Sequence, residues 1–192
     1  MTTTAPAEPN QRSRILDAAL ALVSERGAAG TSMRRLAAAC GLNVATIYHY
    51  FPSKADLLRA LIEERRYGER MATEDPPVDA ALPPAERLSA LVTWVVESTL
   101  REEVVLRLLV GEGLRGDVTA RRSAAELLDA LAGTATTWVA DGFPELAARG
   151  TRPAAVGVLM RATLMAAVLE HLAVGATDAR AHADALAAVV FA

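Results

Sequence analysis

The chain has 192 residues, a formal net charge of −3, 4% aromatic residues and a single cysteine. That length is enough to bury a core, the lone Cys40 excludes an internal disulfide framework and fits a reducing compartment, and the scarcity of aromatics beside abundant alanine favours helices over strands. The near-neutral total excludes a uniformly basic coat of the kind that binds nucleic acid without further organisation.

The first ten residues, MTTTAPAEPN, are polar and contain proline. They lack the charged and then apolar regions of a secretory signal, so the expectation is a disordered tail over 1–10. A helix follows from Gln11 to about Arg26, with Ile15, Ala18, Ala19 and Leu22 at helical spacing. Gly27 ends it. Ser32 is placed to cap a second helix whose Leu36, Ala37 and Cys40 share one face. Gly41 stops that helix where a left-handed residue is usual. Asn43 caps a third, running Val44–Tyr50, and Phe51-Pro52 ends it. Such a short helix is unstable alone. It must be held against neighbours, which leaves an outer face of Val44, Ala45, Thr46, Tyr48 and His49 with no acid among them. A slim face with hydroxyls is what a helix entering a DNA groove needs.

Ser53 caps a fourth helix expected to reach about Met71, with Leu57, Leu58, Leu61 and Ile62 turned inward. Four prolines between 72 and 84 mark a loop. Further helices are expected near 85–101 and 102–110, then a glycine-rich turn, a long helix over 118–140, a turn at 141–144, and two last helices over 153–174 and 178–190. The helix over 153–174 is apolar around nearly its whole circumference, with Arg161, Thr163, Glu170 and His171 as its few polar positions. Its length would suffice for a membrane span, but Arg161 and Glu170 make that costly and no other segment supports it. The reading that fits is a soluble helix covered on its far side by a second copy of the chain.

Charge is unevenly divided. Residues 1–66 carry nine basic and six acidic side chains, a surplus of +3, and the remainder carries −6. A basic end that meets phosphates and an acidic end that does not is the arrangement this suggests.

The region from Gln11 to Leu61 resembles the TetR family of bacterial transcriptional regulators. The resemblance is carried by RILDAALALVSERGAAGTSM, the pair Leu36-Ala37, the turn Gly41-Leu42-Asn43, Thr46-Ile47-Tyr48, Tyr50-Phe51 and Ser53-Lys54 before an apolar helix. It implies an all-α fold: a three-helix helix-turn-helix DNA-binding domain over 11–52, then a helical ligand-binding and dimerisation domain over 53–192. It further implies a cytoplasmic homodimer that binds a pseudo-palindromic operator in double-stranded DNA and is released by a small-molecule inducer, with no cofactor. Matched to the family pattern, Thr46, Tyr48 and Lys54 are phosphate contacts. Ser32 offers a hydroxyl and a helix N-terminus. Arg34 reaches a guanine edge, and Val44 and Ala45 make apolar base contacts. His49 and Tyr50 add phosphate or base contacts, with Tyr50 equally able to pack beside Phe51. Either Arg34 or Arg35 is simple solvated surface. The dimer interface is expected to use Gly157, Arg161, Leu164, Val168, Ala181, Ala185 and Ala188. An apolar or amphipathic ligand is expected among Trp94, Glu97, Arg107, Trp138, Met160, Met165 and His171, with Arg107 and Glu97 as a polar pair.

One competing motif occurs. Gly111-Glu112-Gly113-Leu114-Arg115-Gly116 has the spacing of a dinucleotide-binding loop, although the required alternation of strands and helices does not follow it. His171, His182 and Asp184 lack metal-ligand spacing, and no metal site is expected.

Overall fold

The computed structural model describes residues 10–64, 76 and 78–192. The expected tail, the far end of the fourth helix and most of the proline-rich loop fall outside the described residues. Ten helices are described: α1 Gln11–Gly30, α2 Met33–Cys40, α3 Val44–Tyr50, α4 Lys54–Glu64, α5 Pro84–Leu100, α6 Glu103–Leu114, α7 Val118–Gly142, α8 Pro144–Ala148, α9 Pro153–Val174 and α10 Ala179–Phe191. No strand occurs among the described residues.

The helix ends follow from local chemistry. Asn10, Ser32, Asn43, Asp117 and Asp178 each accept a backbone N–H of the following first turn. Gly41 closes α2 at φ 65°, and the N–H of Leu42 reaches back to the carbonyl of Ala37 at 2.9 Å, a left-handed cap that only glycine adopts without strain. At φ 69° Gly27 interrupts α1, so the last turn to Gly30 is offset from the rest.

Two buried clusters organise the molecule. Ile15, Leu16, Ala19, Leu36, Ile47, Phe51, Leu57 and Leu61 form the core of the N-terminal head, α1 to α4. Leu88, Leu91, Val96, Val139, Met160, Leu164 and Leu186 belong to the core of the body, in which α5 lies along α10 and α7 along α9. Helix α6 serves both. Its Val105, Leu108 and Leu109 complete the head core, while Leu106 turns into the body core. A charged corner supports the far end. Arg87, almost buried, pairs with Glu145 and lies over the Phe143 ring at 4.8 Å.

Two expectations are overturned. Gly111 and Gly113 lie inside α6 rather than in a turn, and α5 and α6 before them are helices. A dinucleotide loop needs a strand in front and a loop whose N–H groups face the phosphates, so that reading is excluded on geometry. Within the protomer about a third of the most apolar stretch of α9 is covered. Its inner face holds Gly157, Leu164 and Val168, which were expected at a dimer interface and instead pack within the protomer. The Cβ of any residue at 157 would stand 2.6 Å from Thr136 Oγ1, and that hydroxyl is itself anchored to the carbonyl of Ala132 at 2.8 Å. Glycine is therefore the spacer of the α7–α9 crossing. Gly157→Val is expected to lower the unfolding free energy by about 2–3 kcal/mol through overpacking, read as a reduced urea midpoint at unchanged slope.

Candidate nucleic-acid interface

Helices α2 and α3 meet through the Gly41 turn and are fixed by Ile47, fully buried beneath α3. Burying one such side chain stabilises by about 1.5–3 kcal/mol, which a seven-residue helix needs in order to persist. Asn43 Oδ1 accepts both the backbone N–H of Thr46 at 2.7 Å and its hydroxyl at 2.9 Å. The Phe51 ring closes the other end of α3 from beneath, buried in the head core. The Arg12 guanidinium stacks over it at 4.5 Å and donates to the carbonyl of Tyr50 at 3.3 Å.

This leaves Ala45, Tyr48 and His49 exposed on α3, Tyr48 at 47%. Ser32 and Arg34 are exposed at the start of α2. Val44 is half-buried and leans on the head core, so only part of it is open. Thr46 is half-buried with its hydroxyl proton given to Asn43, so donation to a phosphate would require that hydroxyl to rotate. Tyr50 is half-buried, its edge against His49 with ring centroids 5.3 Å apart and its body on the head core. The two arginines differ in their contacts: Arg35 donates to the carbonyl of Gly30 at 2.5 Å, and Arg34 is left without a partner among the described residues. Met33 is buried and belongs to the core.

Lys54 opens α4 and is half-buried, next to a capping arrangement in which Ser53 Oγ accepts the N–H of Asp56 and donates to its carboxylate at 2.7 Å. The Ser53 hydroxyl, and after it Arg59, hold the Asp56 carboxyl below the usual range. Its charge is thus spent on the cap and on Arg59, at 2.8 Å. From Thr31 to Lys54 there is no acidic residue at all. A rim of hydroxyl, guanidinium, imidazole and ammonium groups around a narrow, non-anionic helix suits a phosphate backbone and a groove floor. The Cys40 thiol, partly buried, is pushed up by desolvation, which leaves it a small packing group. Asn43 and Arg12 hold the site together, and of the two roles that of Arg12 is visible only in the tertiary contacts.

The expected ligand-domain residues separate. Trp94 and Trp138 meet edge to face, 5.6 Å between centroids, and Met160 is buried in the body core. Met165 packs against the same core from its edge. Glu97 lies at an open groove with Arg101 and Arg180, away from Arg107. Arg107 pairs with Glu103 at 2.6 Å, and His171 joins the same carboxylate at 3.0 Å. His182 holds Glu170, and Asp184 holds Ser89 and Arg180. No group of three potential metal ligands occurs among the described residues.

The sequence profile of bacterial regulatory proteins of the tetR family matches residues 15–61. The HTH-type transcriptional repressor KstR of Rhodococcus jostii is 31% identical over 116 residues, 59% of this chain and 52% of that protein. The chain thus spans about half the length of the curated relative it matches. Among solved structures, a chain from Mesorhizobium loti assigned to the TetR family superposes with a TM-score of 0.67 at 20% identity, covering 97% of this chain and 98% of that one. The regulator FadR of Bacillus subtilis, solved in complex with stearoyl-CoA, superposes with a TM-score of 0.61 at 18% identity over 94% and 97%. At these identities the structural likeness is one of fold.

Proposed function

Since the chain belongs, through residues 15–61, to the TetR family of bacterial regulatory proteins, we propose that it is a homodimeric, sequence-specific DNA-binding repressor of the cytoplasm that a small molecule releases from its operator. The observation that carries this reading is α3 itself: anchored by buried Ile47, capped at both ends, and presenting an outer face without acid. In this reading Thr46, Tyr48, Lys54 and Ser32 touch phosphates. Arg34, Ala45, His49 and the open part of Val44 face bases, and Tyr50 braces the helix while its ring edge flanks the backbone.

A second copy is placed against the outer stripe of α9 and α10. Val158, Leu159, Ala162, Ala166 and Leu169 recur at helical spacing on the uncovered side of α9. Ala181, Ala185 and Ala188 are exposed on α10 beside Val189, which is 70% exposed. Arg161 lies at the edge of this stripe, 3.9 Å from Asp129. So continuous an apolar surface on a soluble chain calls for a partner, and small residues on α10 let a partner helix approach closely. Two heads related by a two-fold axis would then read half-sites centred about 34–36 Å apart. The ligand acts by preferring a conformation in which the heads are wrongly spaced, lowering DNA affinity by the ratio of its affinities for the two states. The FadR complex supports a small-molecule response on this fold.

Selection of bound sites from random duplexes is expected to yield pseudo-palindromes with that half-site spacing. Enrichment of no sequence would refute the reading. On a selected site, Lys54→Ala is expected to weaken binding across sequences and to shallow the plot of log K against log salt by about one unit. An unchanged slope would remove Lys54 from the phosphate contacts.

A further inference from the structure

Between head and body runs a crevice of which the proposed contact with DNA uses Lys54 alone. One chamber, of about 340 Å³, is lined by Val23 and Ala28 of α1 and by Val104, Arg107, Glu112 and Arg115 along α6 and its end. A second, also of about 340 Å³, adjoins it and shares Glu112 and Arg115, with Lys54 and Leu58 of α4 on the opposite wall. We propose that this crevice is an effector site for a small molecule bearing oxyanions, a carboxylate or a phosphate. The proposal deepens the DNA-binding reading and rests on it for its regulatory consequence.

The chemistry follows from which hydrogen-bonding groups are already used. Both oxygens of Glu103 are engaged, one by Arg107 Nε at 2.6 Å and the other by His171 Nε2 at 3.0 Å. Those hydrogen bonds, His171's first, hold its carboxyl below the usual range. Glu112 receives Arg115 Nη1 at 2.8 Å. A guanidinium has five N–H donors. The bond to Glu103 leaves both terminal nitrogens of Arg107 over, and Arg115 keeps Nε and Nη2. The Lys54 ammonium has no partner among the described residues. Beyond those bonds the walls keep one oxygen of Glu112 and one of Asp117, whose other oxygen caps α7, and the uncommitted N–H groups of Arg107, Arg115 and Lys54 outnumber them. Such a cleft selects a ligand rich in acceptors, and bidentate guanidinium contacts are the strong ones for carboxylate and phosphate. Apolar Val23, Ala28, Val104 and Leu58 leave room for a carbon skeleton between the charged ends. Arg107 and Arg115 stand eight residues apart on one helical path, about 12 Å, so an elongated dianion fits better than a compact one.

The position explains how binding would be felt. The crevice walls belong to α1 and α4 of the head and to α6, the helix whose residues complete both cores. Through Glu103 and His171, α6 is tied to α9, the helix of the proposed dimer face. An oxyanion in the second chamber also competes with the operator for Lys54.

The test is calorimetric titration of the full chain, without DNA, using inorganic phosphate in one arm and α,ω-dicarboxylates of graded length in the other. Saturable binding is expected in at least one arm, identifying the source of the oxyanion, with affinity among the dicarboxylates peaking at a span of about 12 Å. Arg107→Gln and Arg115→Gln should each weaken it about tenfold. Both side chains are more than half exposed, 52% and 61%, so the variants should fold, which circular dichroism checks. Absence of binding in both arms, or binding indifferent to both substitutions, overturns the proposal. Because no DNA is present, oxyanion binding by a chain that selects no operator would instead count against the DNA-binding reading alone.

Discussion

Val158→Glu combined with Leu169→Glu is expected to leave a folded monomer whose operator affinity is lower by about 100-fold or more, the scale set by losing bivalent attachment. Both side chains are exposed in the protomer, at 53% and 59%, so its own core does not need them. In the proposed dimer each would carry a carboxylate into an apolar seam, where an unpaired charge costs several kcal/mol. A monomeric head then binds one half-site without the help of its mate. Sedimentation velocity reads the association state, and fluorescence anisotropy on a selected duplex reads the affinity. A double variant that remains dimeric would show that another surface joins the copies. Substitution of Gly157 provides the contrast, because it disturbs the α7–α9 crossing within one protomer and should lower stability before it changes association.

The second large effect is expected from Ala45→Glu. Ala45 is the second residue of α3, exposed, with no acidic residue in that first turn. A carboxylate there faces the positive end of the helix and should stabilise it by about 0.3–1 kcal/mol. On the DNA side the same carboxylate meets phosphates and acceptor-rich base edges, and operator affinity should fall by about 100-fold, two or three kcal/mol of repulsion and desolvation. Opposite signs for fold and function make the experiment decisive. The melting temperature should hold or rise while binding collapses. Retained binding at full affinity would mean that α3 does not face the groove.

Much of the head is legible along the chain because its signals are local. Asn43 caps α3 and Gly41 ends α2 through bonds that span only a few residues. The apolar spacing of Ile15, Ala19, Leu36 and Ile47 gives the inward faces directly. Helix α9 likewise has the bounds its composition suggests. The glycines at 111 and 113 mislead for a physical reason: glycine permits a loop but does not require one, and α6 is held helical by Val105, Leu108 and Leu109 beneath it.

The sequence by itself determined the helical class, most helix ends and the acid-free outer face of α3, since capping and periodicity act within a turn or two of chain. Only the tertiary structure decided which side of α9 is inside, that Gly157 is a spacer against Thr136, that Arg107 meets Glu103, which His171 also holds, rather than Glu97, and that α6 joins both cores. A helix apolar on every side carries no periodic mark of its inner face, and pairs 68 residues apart, such as Glu103 and His171, are set by how helices cross rather than by anything either residue's neighbours encode.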